Sequence, residues 1–331
     1  MLRGFMQAPE QEKPPVGIVF DSDMANSIDD ALALALLCGF DSKHEARIVS
    51  VSLSQSSLKA AAFCEALARF YAAAAGRTVE RIRPIGLSVD GRISEDTPLL
   101  TVPLSKQNAQ GAPVYEHRIR NSNDTADAVA LIRNAFTAQH DQNCIVVLAG
   151  PATNLSRVLG LPGAKDLISR KVRFLAFAGG AYPTGPPEFN IQTDIPAAKK
   201  LFAEWPTRIV ASGYEVGKAL LFPATSIEKD FAWTSEHPIV DAYRAHQQMP
   251  YDAPTWAMAP VLYAVRPEQG YFKLSEPGGI RVLDDGRTRF KPSPEGQHRY
   301  LILDPAQKER IIRTYTEIAS TKPAPAPHQQ N

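Results

Sequence analysis

Four aspartates fall within ten residues near the start of the chain: Asp21, Asp23, Asp29 and Asp30, in the stretch VGIVFDSDMANSIDDALALALL. Carboxylates this close repel one another unless something positive sits among them. A helix N-terminus offers only about half a positive charge, so a divalent cation, which takes oxygen donors, is the natural counter-charge. The apolar run 16–20 before the acids reads as a buried strand, and the unbroken apolar run from Ala31 as a helix. The acidic residues therefore occupy a loop that ends where the helix begins. The structural alternative is that Ser27 or Asp29 caps the helix and the other carboxylates are solvated.

Such a loop needs a frame, and the chain alternates strands with helices. Strands are expected over 46–53, 81–85, 144–148, 172–178 and 208–211. Helices are expected over 58–75, over 125–139 with Asp124 as cap, from near Leu155, and over 195–203, 239–248 and 256–264. Residues 86–120 read as an irregular excursion and 179–193 as a long loop. Residues 274–303 read as a small β excursion near the C-terminus, with turns at Pro277-Gly278-Gly279 and Asp285-Gly286. This order predicts an α/β fold whose mostly parallel central sheet is covered by helices on both faces. Without an internal repeat or a linker, 16–321 read as one domain, with 1–15 and 322–331 as disordered ends.

Composition narrows the function classes. A hydrophobic content of 44% in 331 residues supports a substantial core. A net charge of +1 without a basic run gives no reason to expect nucleic acid or an anionic membrane as partner. The longest strongly apolar stretch, 31–37, is too short to span a bilayer. Cys38, Cys64 and Cys144 lie on apolar segments without zinc spacing and read as core thiols. The first fifteen residues lack the apolar core of a signal peptide, although FMQA before a Pro-rich spacer resembles a cleavage region. The sequence leaves the compartment open between the cytoplasm and, if a signal peptide belongs upstream, the periplasm or exterior.

Ligands of open parallel sheets bind beyond the carboxyl ends of the strands. Asp21, Ser22 and Asp23 stand there after the first strand, and Ser54 and Gln55 after the second. Ala149 and Gly150 follow CIVVL, and 179–190 follow VRFLAFA. The acidic loop, two Gly-containing turns and the triplet Glu188-Phe189-Asn190 thus share one sheet edge.

Four motifs in order carry a family resemblance. DSDMANSIDDALAL after an apolar strand is similar to the signature of the inosine–uridine preferring nucleoside hydrolases. The similarity is to those with two extra residues between the second aspartate and the Asp-Asp pair. GPATNL resembles that family's Gly-Pro-Leu-Thr-Asn-Leu turn, and GGAYPTGPPEFNIQTDIPAA its Gly-Gly loop with Glu-Phe-Asn. YDAPTWAMAPVLYAVRP resembles the distal segment that carries one more metal-binding Asp. DDGRTRFKPSPEGQHRYL extends the match toward Leu303.

The resemblance implies calcium-dependent hydrolysis of the N-glycosidic bond of a ribonucleoside. Its Ca²⁺ would be held by Asp23, Asp30, Asp252 and the main-chain carbonyl of Ala149. Asp23 would also be the general base. Asp29, Glu188, Asn190 and Ser54 would address the ribose, and Asp21 would order the loop. Tyr251 stands where other members have a histidine beside the distal Asp. That leaves Tyr251, Tyr182, Trp233, Tyr243 and His246 as candidates to protonate or stack on the leaving base. The resemblance further implies a homodimer or homotetramer. For Asp252 the alternative is a helix cap. Three departures bear on rate and substrate: Ala25 in place of glycine, Ser54 in a region that often holds asparagine, and Gly185-Pro186-Pro187 before the EFN triplet.

Two rival readings remain. In a haloacid-dehalogenase-type phosphatase Asp21 would be nucleophile and Asp23 acid. That reading expects Thr or Ser where Ala25 stands, and leaves EFN and Asp252 unexplained. In a non-catalytic homologue the fold and a calcium and ribose site would persist without hydrolysis.

Overall fold

The computed structural model describes residues 14–77, 84–89, 92 and 95–324. Its strands are β1 (Val16–Ser22), β2 (Ala46–Leu53), β3 (Ile85–Leu87), β4 (Ala126–Asp127), β5 (Cys144–Ala149), β6 (Val172–Ala178) and β7 (Arg208–Ser212). There follow β8 (Leu221–Phe222), β9 (Ala253–Pro254), β10 (Lys273–Leu274), β11 (Gly278–Val282), β12 (Thr288–Pro292) and β13 (His298–Ile302). The main sheet runs β12-β11-β13-β7-β6-β5-β1-β2-β3-β4, with β10 beside β13. β1 pairs parallel with β2 on one side and β5 on the other, so that Ser22 lies opposite both Leu53 and Ala149.

The central strands are largely apolar, β5 (CIVVLA) throughout, because both faces are covered, as parallel sheets require. Period-two alternation divides β5: Ile145 and Val147 join one apolar cluster, Cys144, Val146 and Leu148 the other. Helices α1 (Asp29–Ser42) and α2 (Leu58–Ala74), with those over Met258–Val265 and Lys308–Ala319, cover the first face. Those over Ala128–Thr137, Thr153–Leu159, Ala164–Lys171 and Ile195–Glu204 cover the second. Every residue from Ala31 to Leu37 is buried, which explains why α1 carries no polar stripe. The three cysteines are free thiols, Cys64 and Cys144 buried and Cys38 half-buried.

The structure corrects several expectations. The C-terminal β excursion belongs to the main sheet, since β13 runs parallel to β7. Gly278 and Gly279 lie within β11 rather than in a turn, while Gly286 turns with φ 83° as expected. The helix expected from Thr125 starts at Ala128, and Asp127 caps it by accepting from Ala130 N at 2.7 Å. Asp124 serves a separate short turn, accepting from the N–H groups of Arg120 and Asn121. The excursion over 86–120 contains a helix, Pro98–Ser105. Helices over Ala164–Lys171 and Lys308–Ala319 have no counterpart among the expected elements. Of the strand expected over 81–85, residues 81–83 lie outside the described residues, and the described strand begins at Ile85.

Most of the ends expected to be disordered lie outside the described residues. What is described of them is tied down: Asn143 and Arg47 donate to the carbonyls of Pro14 and Pro15, and Ala324 N donates to Ser42 Oγ. No helix among the described residues is long and apolar enough to cross a membrane.

Candidate active site

The strand order reverses at β1, with β2, β3 and β4 laid out on one side of it and β5, β6 and β7 on the other. Ligands of open α/β sheets bind at such a reversal, beyond the carboxyl ends of the strands. A cavity of about 150 Å³ opens there. Asp23 enters it from the end of β1, Asp29 and Asp30 from the first turn of α1, and Ala149 from the end of β5. Glu188, Phe189 and Asn190 line it from beyond β6, and Trp256 and Ala257 from the segment after β9. A larger cavity of about 360 Å³, walled by Leu34, Ile48 and Val51 among others, holds none of the candidate acids.

Four carboxylates line the acidic cavity and no Lys, Arg or His does. Burial, followed by the charge of Asp29, pushes Asp23 up to about 7. Burial, then Asp23 and Asp29, hold Asp30 well above the usual carboxylate range. Asp29 and Glu188 are raised as well, in both cases by burial first. Removing a carboxylate from water disfavours its charged form, and like charges nearby add to the effect.

Each acid is held differently. Asp23 Oδ2 accepts from Gln55 Nε2 at 3.3 Å and from Asn26 Nδ2. Asp29 accepts from Ser27 Oγ and, at 2.7 Å, from the main-chain N–H of Ala257. Asp30 Oδ1 is buried and has no partner. Glu188 caps the one-turn helix Phe189–Thr193, taking the N–H groups of Asn190 and Ile191, and also that of Gly180 at 2.9 Å. Asn190 Nδ2 donates to the Ala178 carbonyl at 2.9 Å, holding its side chain at the end of β6. No side chain caps α1 at Ile28, so the positive end of the helix faces Asp29 and Asp30 in its first turn.

Asp21 has the ordering role. It is fully buried in β1 and accepts from Ser52 Oγ at 2.7 Å and Asn154 Nδ2 at 2.9 Å, which ties β1 to β2 and, past the turn after β5, to the helix Thr153–Leu159. Burial pushes it up to about 6 despite those bonds. Gly150 permits the approach of that turn: a Cβ there would stand 2.8 Å from Asp23 N and 2.5 Å from Ser54 Oγ. Ala25 does not carry the left-handed backbone that would favour glycine. Met24 does, with φ 30°, and Ala25 stays buried with its carbonyl accepting from Thr97 Oγ1.

Several residues expected at the site lie elsewhere. Asp252 is exposed, and its Oδ1 accepts from Ala224 N at 2.9 Å, so it caps the helix Ala224–Lys229 and is absent from the cavity lining. Ser54 is buried, its hydroxyl donating to the Ser22 carbonyl at 3.1 Å, and Gln55 reaches Asp23 instead. Tyr251 and Tyr243 stack at 4.4 Å and each donates its hydroxyl to the other's carbonyl. Tyr182 is buried against Tyr300 at 5.3 Å, Trp233 donates to the Ser320 carbonyl, and His246 lies against Tyr251. None of these five aromatic or histidine candidates lines the cavity.

Two aromatic residues without an assigned role do line it: Phe189, 49% exposed, and Trp256. Trp256 stacks on Tyr214 at 5.6 Å and donates its indole N–H to the Tyr214 carbonyl. Phe189 was legible, standing between Glu188 and Asn190 where successive residues of a loop face one ligand. For Trp256 the signal is its position just before the helix Met258–Val265, at the start of the helix expected over 256–264.

Among the described residues no group of three or more His, Cys, Asp or Glu side chains is placed to hold a metal ion. The donors nevertheless suit a hard cation in kind. Asp30 Oδ1 has no partner, Asp23 is adjacent in charge, and Ala149 lines the same cavity. Carboxylate and carbonyl oxygens are the ligands Ca²⁺ takes.

The family model described as inosine-uridine preferring nucleoside hydrolase matches residues 18–309. A plant nucleoside hydrolase structure superposes with a TM-score of 0.66 at 19% identity, covering 93% of this chain and 100% of that one. A purine-preferring ribonucleoside hydrolase from Gardnerella vaginalis gives 0.63 at 17%, covering 92% and 99%. An inosine-uridine preferring nucleoside hydrolase from Bacillus anthracis gives 0.63 at 15%, again covering 92% and 99%. No curated protein matches the sequence.

Proposed function

The chain belongs to the inosine-uridine preferring nucleoside hydrolase family, whose members are N-ribosyl hydrolases, and from that premise we propose how its own residues hydrolyse a ribonucleoside. The observation that carries the reading is Asp23, buried in a cavity lined by four carboxylates and no cationic side chain. The family is metal-dependent in general. Here the cation would be Ca²⁺, held by Asp23, Asp30 and the carbonyl of Ala149. When bound, it supplies positive charge beside the attacking water and lowers that water's pKa.

Asp23 takes a proton from the water as the water adds to the anomeric carbon and the bond to the base breaks. A general base works best with a pKa near the operating pH. The ribose gains oxocarbenium character on the way, as in other glycoside cleavages. Carboxylates around it stabilise that charge electrostatically. Asp29 and Glu188, which line the same cavity, would take this part, and both retain acceptor capacity for ribose hydroxyls, since an ionised carboxylate has about four lone-pair sites.

The cavity is smaller than the ~300 Å³ at the low end of ligand pockets. It therefore suits the sugar, with the base at the mouth near Phe189 and Trp256. Aromatic faces stack well on a nucleobase, so departure of the base relies on stacking and its proton comes from solvent.

Ribose release from inosine, uridine, adenosine and guanosine, with and without a calcium chelator, tests the reading. Release that falls on chelation and recovers with Ca²⁺ is expected. No ribose from any of the four overturns it.

A further inference from the structure

The Ca²⁺ ligands named above are two carboxylates and one carbonyl, and the distal segment expected to add a third carboxylate delivers none. We propose that the cation site of this chain is open on the side lined by Ala257, that it holds Ca²⁺ loosely, and that a carboxylate at position 257 would close it. The inference rests on the calcium reading of that cavity.

Three observations carry it. Asp252 is fixed away from the cavity. β9 directly follows it and pairs with β8, Ala253 opposite Phe222 and Pro254 opposite Leu221, and its own carboxylate is engaged by Ala224 N. The reciprocal bonds between Tyr243 and Tyr251 hold the residue before it. Asp252 is therefore held from both sides, by the Tyr251 contacts before it and the β9 pairing after it.

The same ladder delivers position 257 instead. Thr255 donates its N–H to the Gly217 carbonyl at 3.0 Å and its hydroxyl to the Leu220 carbonyl at 2.9 Å. Gly217 lets the chain pass close, since a Cβ there would stand 2.5 Å from Trp256 Cα. Ala257 then arrives 2% exposed in the lining of the acidic cavity, with its N–H on Asp29.

Finally, Asp30 Oδ1 is buried without a partner in that cavity, so a ligand position is present and unanswered. Calcium affinity follows the number of charged ligands and the rigidity of the site. A methyl group at position 257 provides no oxygen.

Calorimetric titration with Ca²⁺ tests this on the full chain, on Asp252→Ala and on Ala257→Asp, with Asp30→Asn as the loss control. The native protein is expected to bind with a dissociation constant of roughly 10⁻⁴–10⁻³ M, the weak end of the calcium range. Asp252→Ala should stay within about twofold, and Ala257→Asp should tighten binding at least about tenfold. Native affinity tighter than about 1 μM, or a tenfold loss in Asp252→Ala, overturns the proposal. So does a folded Ala257→Asp that binds no better than the native chain. Should Ala257→Asp not fold, the native and Asp252→Ala titrations decide alone. Ribose assays are scored separately: these affinities without turnover would overturn the hydrolytic reading and leave this one standing.

Discussion

The main-chain N–H of Ala257 donates to Oδ2 of Asp29 at 2.7 Å, joining residues 228 apart in sequence. That bond locks the first turn of α1 to the segment after β9, the two parts of the chain that meet at the cavity. Its donor is backbone, so the orientation of Asp29 is insensitive to which side chain stands at position 257. A buried hydrogen bond to a charged group contributes about 1.5–3 kcal/mol, and its loss strands the donor.

Asp29→Asn and Asp29→Ala should therefore differ. The amide keeps an acceptor for Ala257 N and removes one of the repelling charges, so the melting temperature should hold or rise while KM for the nucleoside climbs about tenfold or more. The alanine variant should lose about 1–3 kcal/mol of stability as well, by leaving the buried N–H unpaired. Equal stability of the two variants would show that the bond contributes nothing.

Asp23→Asn should abolish most hydrolysis while the protein stays folded. Removing a general base costs about 10²–10⁴ in kcat. The amide cannot take a proton from water, yet it still accepts from Gln55. Near-native turnover measured as ribose release, with an unchanged far-UV spectrum, would remove Asp23 from that role.

The frame was legible wherever burial shapes the sequence. β2 and β6 match their expected bounds, because strands covered on both faces carry a largely hydrophobic signal, interrupted here at Arg47, Ser50 and Ser52 in β2 and at Arg173 in β6. The acidic loop was legible because charge repulsion leaves few uses for crowded aspartates. Asp252 was misplaced because an isolated Asp next to a proline reads alike as ligand or cap, and only the pairing of β8 with β9 decides between them. Tyr182, Trp233, Tyr243 and Tyr251 failed for a similar reason: aromatic residues serve core and site equally well, and no spacing rule separates them. The C-terminal strands looked local because their turn at Gly286 is local, whereas the parallel pairing of β13 with β7 is a tertiary choice.

Gly150→Ala should damage the site without touching an acid. The added methyl would meet Asp23 N at 2.8 Å and the Ser22 carbonyl carbon at 3.0 Å, both backbone atoms. Relief requires moving the end of β1 or the turn after β5. Overpacking of this kind costs about 1–3 kcal/mol, and displacing Asp23 should lower kcat more than it raises KM. A variant with native stability and native kcat would show that the turn yields without moving Asp23.

Below neutral pH a buried histidine should add a stabilising contribution that acid removes. His237 is 2% exposed among Phe70, Phe231 and Trp233, with ring centroids 4.7, 4.9 and 5.1 Å away, and its Nδ1 accepts from Ile239 N. Burial pushes it down to about 3, against a smaller opposing effect of Asp241. The folded value thus lies below the ~6.5 of the unfolded chain. The unfolded state binds the extra proton first, so the contribution is complete above about pH 6.5 and is lost as pH falls from there toward 3. Between pH 6.5 and 5 the loss should be about 1–2 kcal/mol from this residue. His298, pushed down to about 4 by burial, adds a second loss of the same sign. The raised carboxylates act oppositely: Asp21, at about 6, favours the folded state at low pH and loses that contribution as pH rises from about 4 through 6. Urea unfolding at pH 6.5, 5.5 and 5.0 separates the groups. His237→Asn keeps an acceptor for Ile239 N and should flatten the acid limb by about 1–2 kcal/mol relative to the native protein. An unaltered slope in that variant would assign the acid limb to other groups.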